Sequence, residues 1–422
     1  MKIELNYHKG TKTVVLPDTA AVTVLEPRPV SGVASVGQAL DQALENPVAG
    51  PSLARILRAA TGRPRIAIAV PDDTRPLPVG KILPRLLTHI FKILPGLAPE
   101  SISLVIGGGL HAPDNRAVQK EALSAGAVPG CQVLFHDARN HEMTDFGTTS
   151  RGVPVKVNAA VGRADIKIVV GQVDPHQFVG FTGGAKGIAV GCAASETICR
   201  NHGLMFEPNA RVGVLDGNPV REDLNEAGRM IGINFAVNGV MTPDKQVAAL
   251  VAGPPDDVLR QGAKTCASVY GVGIPKPFDM VVASCGGFPK DICLYQAQKG
   301  LNQASHALKK GGNLLLLAAC TQGVGDDDYF SYVSRFETPE TLMADFTSTG
   351  FKMGAHKAYL FGKTLVDYQV ALASDLAPQV VRQCQLTPED PPAILRQWMD
   401  LAGGNPSIAV IPHANTTYFY PV

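Results

Sequence analysis

The sequence has almost no surplus charge: 38 Lys and Arg stand against 37 Asp and Glu over 422 residues. A nucleic-acid binder carries a clustered positive excess, so polyanion binding is excluded as the main task. No Cys-x-x-Cys pair occurs among the eight cysteines, and most lie in apolar runs such as Val282-Ala-Ser-Cys285 and Leu317-Ala-Ala-Cys320. That excludes a disulfide framework and points to reduced, buried thiols. No apolar run approaches the roughly 20 residues of a membrane-spanning helix. Met1-Lys-Ile-Glu-Leu lacks the basic region and apolar core of a secretion signal. The expectation is a soluble, cytoplasmic protein. Two nucleotide signatures are also missing. Gly107-Gly108-Gly109 lacks the third-glycine spacing of a dinucleotide fingerprint, and Gly187 follows Lys186 where a P-loop has Ser or Thr.

Glycine is what the chain has in quantity, and its use is concentrated. Gly180, Gly183, Gly184, Gly187 and Gly191 follow the apolar run Ile166-Lys-Ile-Val-Val170, with His176 before them, Lys186 among them and His202 after. Each glycine costs backbone entropy, and the return is positive φ or close approach to a ligand. The stretch is therefore expected to seat a cofactor, with Lys186 as phosphate ligand or covalent tether.

Strand and helix patterns alternate with short connections, which predicts an α/β fold of mainly parallel sheets flanked by helices. Strands are expected at Arg65–Val70, Ser101–Ile106, Val133–Phe135, Val153–Val157, Asp165–Val170, Asp279–Ala283 and Gly311–Ala318, and one within Ser348–Tyr359. Residues 2 to 16 read as a hairpin. Asp114 is placed to cap a helix reaching Ser124, and Gly271–Pro277 reads as a linker. Two domains follow, 1–270 joined by the tail 402–422, and 277–401, with the active site in the cleft between them.

In open parallel sheets ligands sit beyond the carboxyl ends of the strands. Asp72, Asp73 and Arg75 follow one expected strand, His111 a second and His176 a third, while Ser284 and Lys290 follow one in the other domain. His111 and His176 are the acid/base candidates, because imidazole takes and returns protons near neutrality. Arg75 offers a planar fork to a carboxylate. Tyr295, Gln296 and Lys299 share one face of the helix after Pro289. Cys199 and His202 are three apart on a helix, but no further pair completes a zinc site. Asp216–Asp223 reads as a turn into a capped helix.

Pro71-Asp-Asp-Thr-Arg-Pro76, Gly109-Leu-His111, the run from His176 through Gly180, Thr182, Gly183 and Gly184 to Lys186, His202, Gly217-Asn-Pro219 and Tyr295-Gln-x-x-Lys299 occur in one order along most of the chain. Together they resemble the lactate racemase family. The resemblance implies a nickel-pincer nucleotide, a pyridinium-derived mononucleotide that binds nickel through one carbon and two sulfurs. It makes Lys186 the residue that tethers or contacts its thioacid, and His202 the protein ligand to nickel. His111 and His176 become the two catalytic bases. Asp72, Thr182, Gly183, Gly184 and Gln296 fall to the cofactor, and Arg75, Tyr295 and Lys299 to the substrate, with Tyr359 as a substrate-side aromatic. The implied activity is racemisation or epimerisation of a small 2-hydroxy acid by hydride removal and return to the other face of a 2-keto acid. Cofactor-biosynthesis proteins are implied as partners. Val190 departs from the family's proline, and Thr182 from its common serine. Two other readings stay open from the sequence: a nicotinamide-dependent hydroxy-acid dehydrogenase, and a non-catalytic binder of the cofactor.

Overall fold

The computed structural model describes residues 1–17, 20–110, 119–121, 123, 126, 129–402 and 405–422. His111 and Asp114 lie outside them; of the helix expected from Asp114 to Ser124, residues 119–121 and 123 are described and helical. The chain divides into two compact units, Pro29–Val269, and Met1–Arg28 with Tyr270–Val422.

In the unit Pro29–Val269, Ile66-Ala-Ile-Ala-Val70 is apolar at every position and buried throughout, as a parallel strand covered on both faces must be. It lies centrally in six strands, in the order Val247–Gly253, Phe235–Met241, Ile166–Gln172, Ile66–Pro71, Ile102–Gly107, Gln132–Phe135. All neighbours are parallel except Val247–Gly253, which returns antiparallel. Helices Val36–Glu45, Leu53–Ala59 and Val79–Ile93 put leucines at helical spacing onto one core. Leu40, Leu44, Leu53, Leu57, Leu83, Leu86 and Leu87 pack there with the strand residues Ile66, Ile68 and Leu104. Each fully buried leucine contributes about 1.5–3 kcal/mol over exposure. Ser35 and Ser52 cap the first two helices, accepting from the N–H of Gln38 and Arg55.

In the unit Met1–Arg28 with Tyr270–Val422, six strands run Thr387–Pro388, Gln369–Ala373, Leu308–Leu317, Phe278–Ser284, Ser407–Ile411, Ala21–Val24, all parallel. The expected hairpin forms from Lys2–Tyr7 and Gly10–Val15. It buries Leu5, Val14 and Leu16 against Leu395, Trp398 and the sheet.

Three expectations differ from this arrangement. Segments 1–28 and 402–422 were expected with the first domain, but Ala21–Val24 pairs with Ser407–Ile411 and Ser407–Ile411 with Phe278–Ser284. The Asp279 carboxylate fastens that join, accepting from Ser407 N–H at 2.8 Å and Ser407 Oγ at 2.6 Å. Gly271–Ile274, expected as linker, is a strand paired with Tyr418–Pro421. Ser348–Tyr359 holds no strand: helix Pro339–Thr349 ends at Gly350 with φ 82°, helix His356–Leu365 follows, and the strand comes at Gln369–Ala373. Short apolar runs do not separate helix from strand by pattern alone.

Candidate functional site

Strand Ile66–Pro71 delivers Asp72, which is buried and accepts from Thr74 Oγ1 at 2.5 Å. The neighbouring strand Ile102–Gly107 runs into three closely packed glycines, Gly107 and Gly109 against backbone and Gly108 against the side chains of Asp72 and Phe135. A Cβ on Gly107 would lie 3.0 Å from the Gly191 carbonyl, and one on Gly108 3.1 Å from Asp72 Oδ2. Gly109 N–H donates to Gly191 O at 2.9 Å. The strand end that leads to His111 is thereby tied to the end of the glycine run.

The third strand, Ile166–Gln172, leads into a tight hairpin in which Pro175–His176 pairs with Gly180–Phe181. Gly180 has φ 77°, and a Cβ there would fall 2.0 Å from Val214 O, so only glycine fits. The Thr182 hydroxyl donates to Gln172 O at 2.7 Å and accepts from Asp174 N–H at 2.8 Å. Gly184 N–H donates to Asn238 Oδ1 at 2.7 Å. Both groups, expected on the cofactor, are engaged in holding the loop. Val190 N–H donates to Lys186 O at 3.0 Å, a bond that a proline at this position would lack.

Helix Pro219–Ile231 braces this loop from one side. Asn218, its N-cap, donates through Nδ2 to Phe178 O at 3.0 Å and Val214 O at 3.1 Å. Arg221, fully buried, donates to the carbonyls of Val179 and Gly183 at 3.4 Å each, and to that of Phe181. Sequence reasoning found the capped helix and missed the brace.

The imidazoles of His176 and His202 stand edge-on to one phenyl ring, Phe178, with centroids 4.6 Å and 5.1 Å away. His176 Nδ1 accepts from Val179 N–H at 3.3 Å. His202 is buried, with Nδ1 3.2 Å from Asn201 Oδ1. Lys186 keeps some surface, yet burial of its amine, with the Arg75 and Arg221 cations adding to the effect and Asp72 opposing it, brings its pKa down to about 7. Asp72, Arg75 and Arg221 thus all act electrostatically on Lys186, and His176 and His202 share a ring contact, Phe178. Among the described residues no group of three or more His, Cys, Asp or Glu is placed to hold a metal. The described residues thus offer His202 no ready-made set of protein co-ligands, which fits a cofactor that brings its own donors.

In the other unit, helix Leu294–Ser305 carries Tyr295 and Lys299 half-buried and Gln296 exposed. Tyr295 meets Tyr329 edge-on at 6.2 Å. Lys357, which sequence reasoning did not single out, lies 5.3 Å over the Tyr295 ring and donates to Gln298 Oε1 at 2.9 Å. Burial, and then Lys299, bring the Lys357 amine down to about 8, with Cys293 opposing. Tyr359 is buried against Phe346, 5.7 Å between rings.

Residues 7–213 match the family model of the lactate racemase N-terminal domain, and residues 274–416 that of the lactate racemase C-terminal domain. The lactate racemase of Thermoanaerobacterium thermosaccharolyticum is 28% identical over 420 residues, 97% of each chain. That of Lactiplantibacillus plantarum is 26% identical over 411 residues, 95% of this chain and 92% of the relative. The solved lactate racemase apoprotein from T. thermosaccharolyticum superposes with a TM-score of 0.88 at 27% identity over all of both chains. A Thermotoga maritima protein shares the fold, at a TM-score of 0.60 and 16% identity over 94% of this chain.

Proposed function

The chain belongs to the lactate racemase family, and we propose that it interconverts the two configurations of a small 2-hydroxy acid with a nickel-pincer nucleotide. The observation that carries this reading is the pair of imidazoles packed edge-on to Phe178, one of them on the glycine loop that also holds an amine titrating near neutrality. Lys186 tethers or contacts the cofactor thioacid, and near pH 7 much of its amine is uncharged and nucleophilic. His202 supplies the protein ligand to nickel, and Asp72 and Gln296 contact the nucleotide. Thr182, Gly183 and Gly184 shape its seat by holding the loop. The bound group supplies a hydride acceptor that also returns the hydride.

The chain's own residues manage the proton. The Cα–H of a 2-hydroxy acid is a poor acid, so hydride removal is eased when a base takes the hydroxyl proton. His176 and His111 are assigned that exchange, one taking the proton and the other returning it, so that both enantiomers are served. Arg75, Tyr295 and Lys299 are assigned the substrate carboxylate. Phe178 and Phe181, both buried, keep water from the loop. Proteins that build the cofactor are the implied partners.

The test is racemisation of single enantiomers across a panel of 2-hydroxy acids, followed by chiral chromatography, with nickel and cofactor confirmed on the protein. Turnover of at least one acid is expected, and His176→Ala lowers kcat/KM by about 10²–10⁴-fold. No turnover across the panel by loaded protein overturns the reading.

A further inference from the structure

We propose that Asn201 and Asp223 are positioning residues that fix which nitrogen of His202 carries its proton. This rests on the reading of His202 as the nickel ligand for its purpose, though not for its geometry. His202 ends helix Ser195–Gly203, and Asn201 precedes it, both buried. Asn201 Nδ2 donates to Val220 O at 3.2 Å and to Asp223 Oδ2 at 2.7 Å. A backbone carbonyl can only accept, so Val220 alone sets which end of the amide faces it. The amide oxygen therefore faces His202 Nδ1, 3.2 Å away. An amide oxygen accepts, so Nδ1 must carry the hydrogen and Nε2 the lone pair.

The far end of the chain of bonds is secured as well. Asp223 Oδ1 accepts from Thr149 Oγ1 at 2.5 Å, and Thr149 Oγ1 accepts from Val153 N–H at 3.2 Å. Asp223 and Thr149 are both buried. Four residues from three separate elements thus join in a dry run of hydrogen bonds that ends on one ring nitrogen. Partners of this kind orient a metal-binding imidazole and raise its donor strength. A core that needed only packing would place apolar side chains here, since burying an amide and a carboxyl is costly unless both are fully bonded.

The test has two readouts on the whole chain. Histidine side-chain 15N shifts, with His202 assigned by its loss in His202→Gln, report the tautomer without any metal. Nickel retained by cofactor-loaded protein after dialysis against a chelator reports the ligand. We expect wild-type His202 protonated on Nδ1. Asn201→Leu should shift the ring toward the other tautomer and weaken nickel retention by about 10–100-fold. Asp223→Asn leaves a polar partner for the Asn201 amide, so it should preserve the tautomer and weaken retention less. Wild-type His202 protonated on Nε2 overturns the proposal and needs no variant, as does an unchanged tautomer in folded Asn201→Leu. If the tautomer moves while nickel retention does not, the positioning stands and it is the role of His202 as ligand that fails.

Discussion

Burial moves the chemistry of Lys186 far from that of a free lysine. Its folded pKa, about 7 against the ordinary 10.5, means that the unfolded chain holds a proton that the folded chain gives up between those values. By linkage, the contribution of this group to stability rises as pH rises from about 7 to 10.5, and the cost of burying the cation is fully felt below 7. An amine-reactive probe should label Lys186 with a half-maximal rate near pH 7, while exposed lysines follow near 10.5. Mass spectrometry of peptides from protein lacking cofactor checks this, and labelling that rises only above pH 9 contradicts it. His176 carries a related constraint. With Val179 N–H on Nδ1, the neutral ring holds its proton on Nε2, so taking a proton there requires the 3.3 Å bond to loosen. Lys186, His176 and His202 were legible because reactive side chains in a glycine run after a strand are unusual. Asn238 and Arg221 were not, because their partners lie 54 and about 40 residues away and no local pattern announces them.

At the scale of elements, helix Pro219–Ile231 serves two neighbours at once. One side carries Arg221 to the glycine loop, and the other carries Asp223, Glu226 and Glu222 to the turn between strands Met143–Thr148 and Pro154–Asn158. There Thr149 bonds to Asp223, Ser150 to Glu226 and Arg151 to Glu222. Replacing Arg221 with Met should leave the Phe181 carbonyl without its donor, at about 1–3 kcal/mol unless water rescues it, while the Val179 and Gly183 carbonyls keep the N–H groups of Phe181 and Lys186. Gly180→Ala should cost roughly 2–4 kcal/mol, from the left-handed backbone and the collision with Val214 O. Urea denaturation of both variants checks these figures, and Gly180→Ala within about 0.5 kcal/mol of the parent, the roughly neutral range of surface substitutions, contradicts the close approach. The alternation of strand and helix was readable as far as the helix starting at Pro219, but the sheet strands Phe235–Met241 and Val247–Gly253 were not singled out. The 348–359 region was misread because a helix end and a helix start there put apolar residues close together.

For the whole molecule, the sequence pattern located the division near residue 270 but not the return of both termini to one sheet. Parallel pairing between residues hundreds of positions apart leaves no periodicity to read. Removing residues 1–28 should therefore loosen the unit that contains Tyr270–Val422, which loses strand Ala21–Val24 and the cover of Leu5, Val14 and Leu16. The unit Pro29–Val269 should keep its own core. Hydrogen exchange mapped by peptide checks this: faster exchange confined to Ser407–Ile411 and its neighbours is expected, and faster exchange centred on Ile66–Pro71 contradicts it.

The pairing of Ala21–Val24 with Ser407–Ile411 also sets a timetable on the ribosome. The strand made among the first residues has its sheet partner among the last, so it waits for nearly the whole chain. At about 5–20 residues per second, that wait is on the order of 20–80 s. Within that interval Pro29–Val269 is completed and becomes free to fold before the amino-terminal hairpin has the whole sheet that it covers.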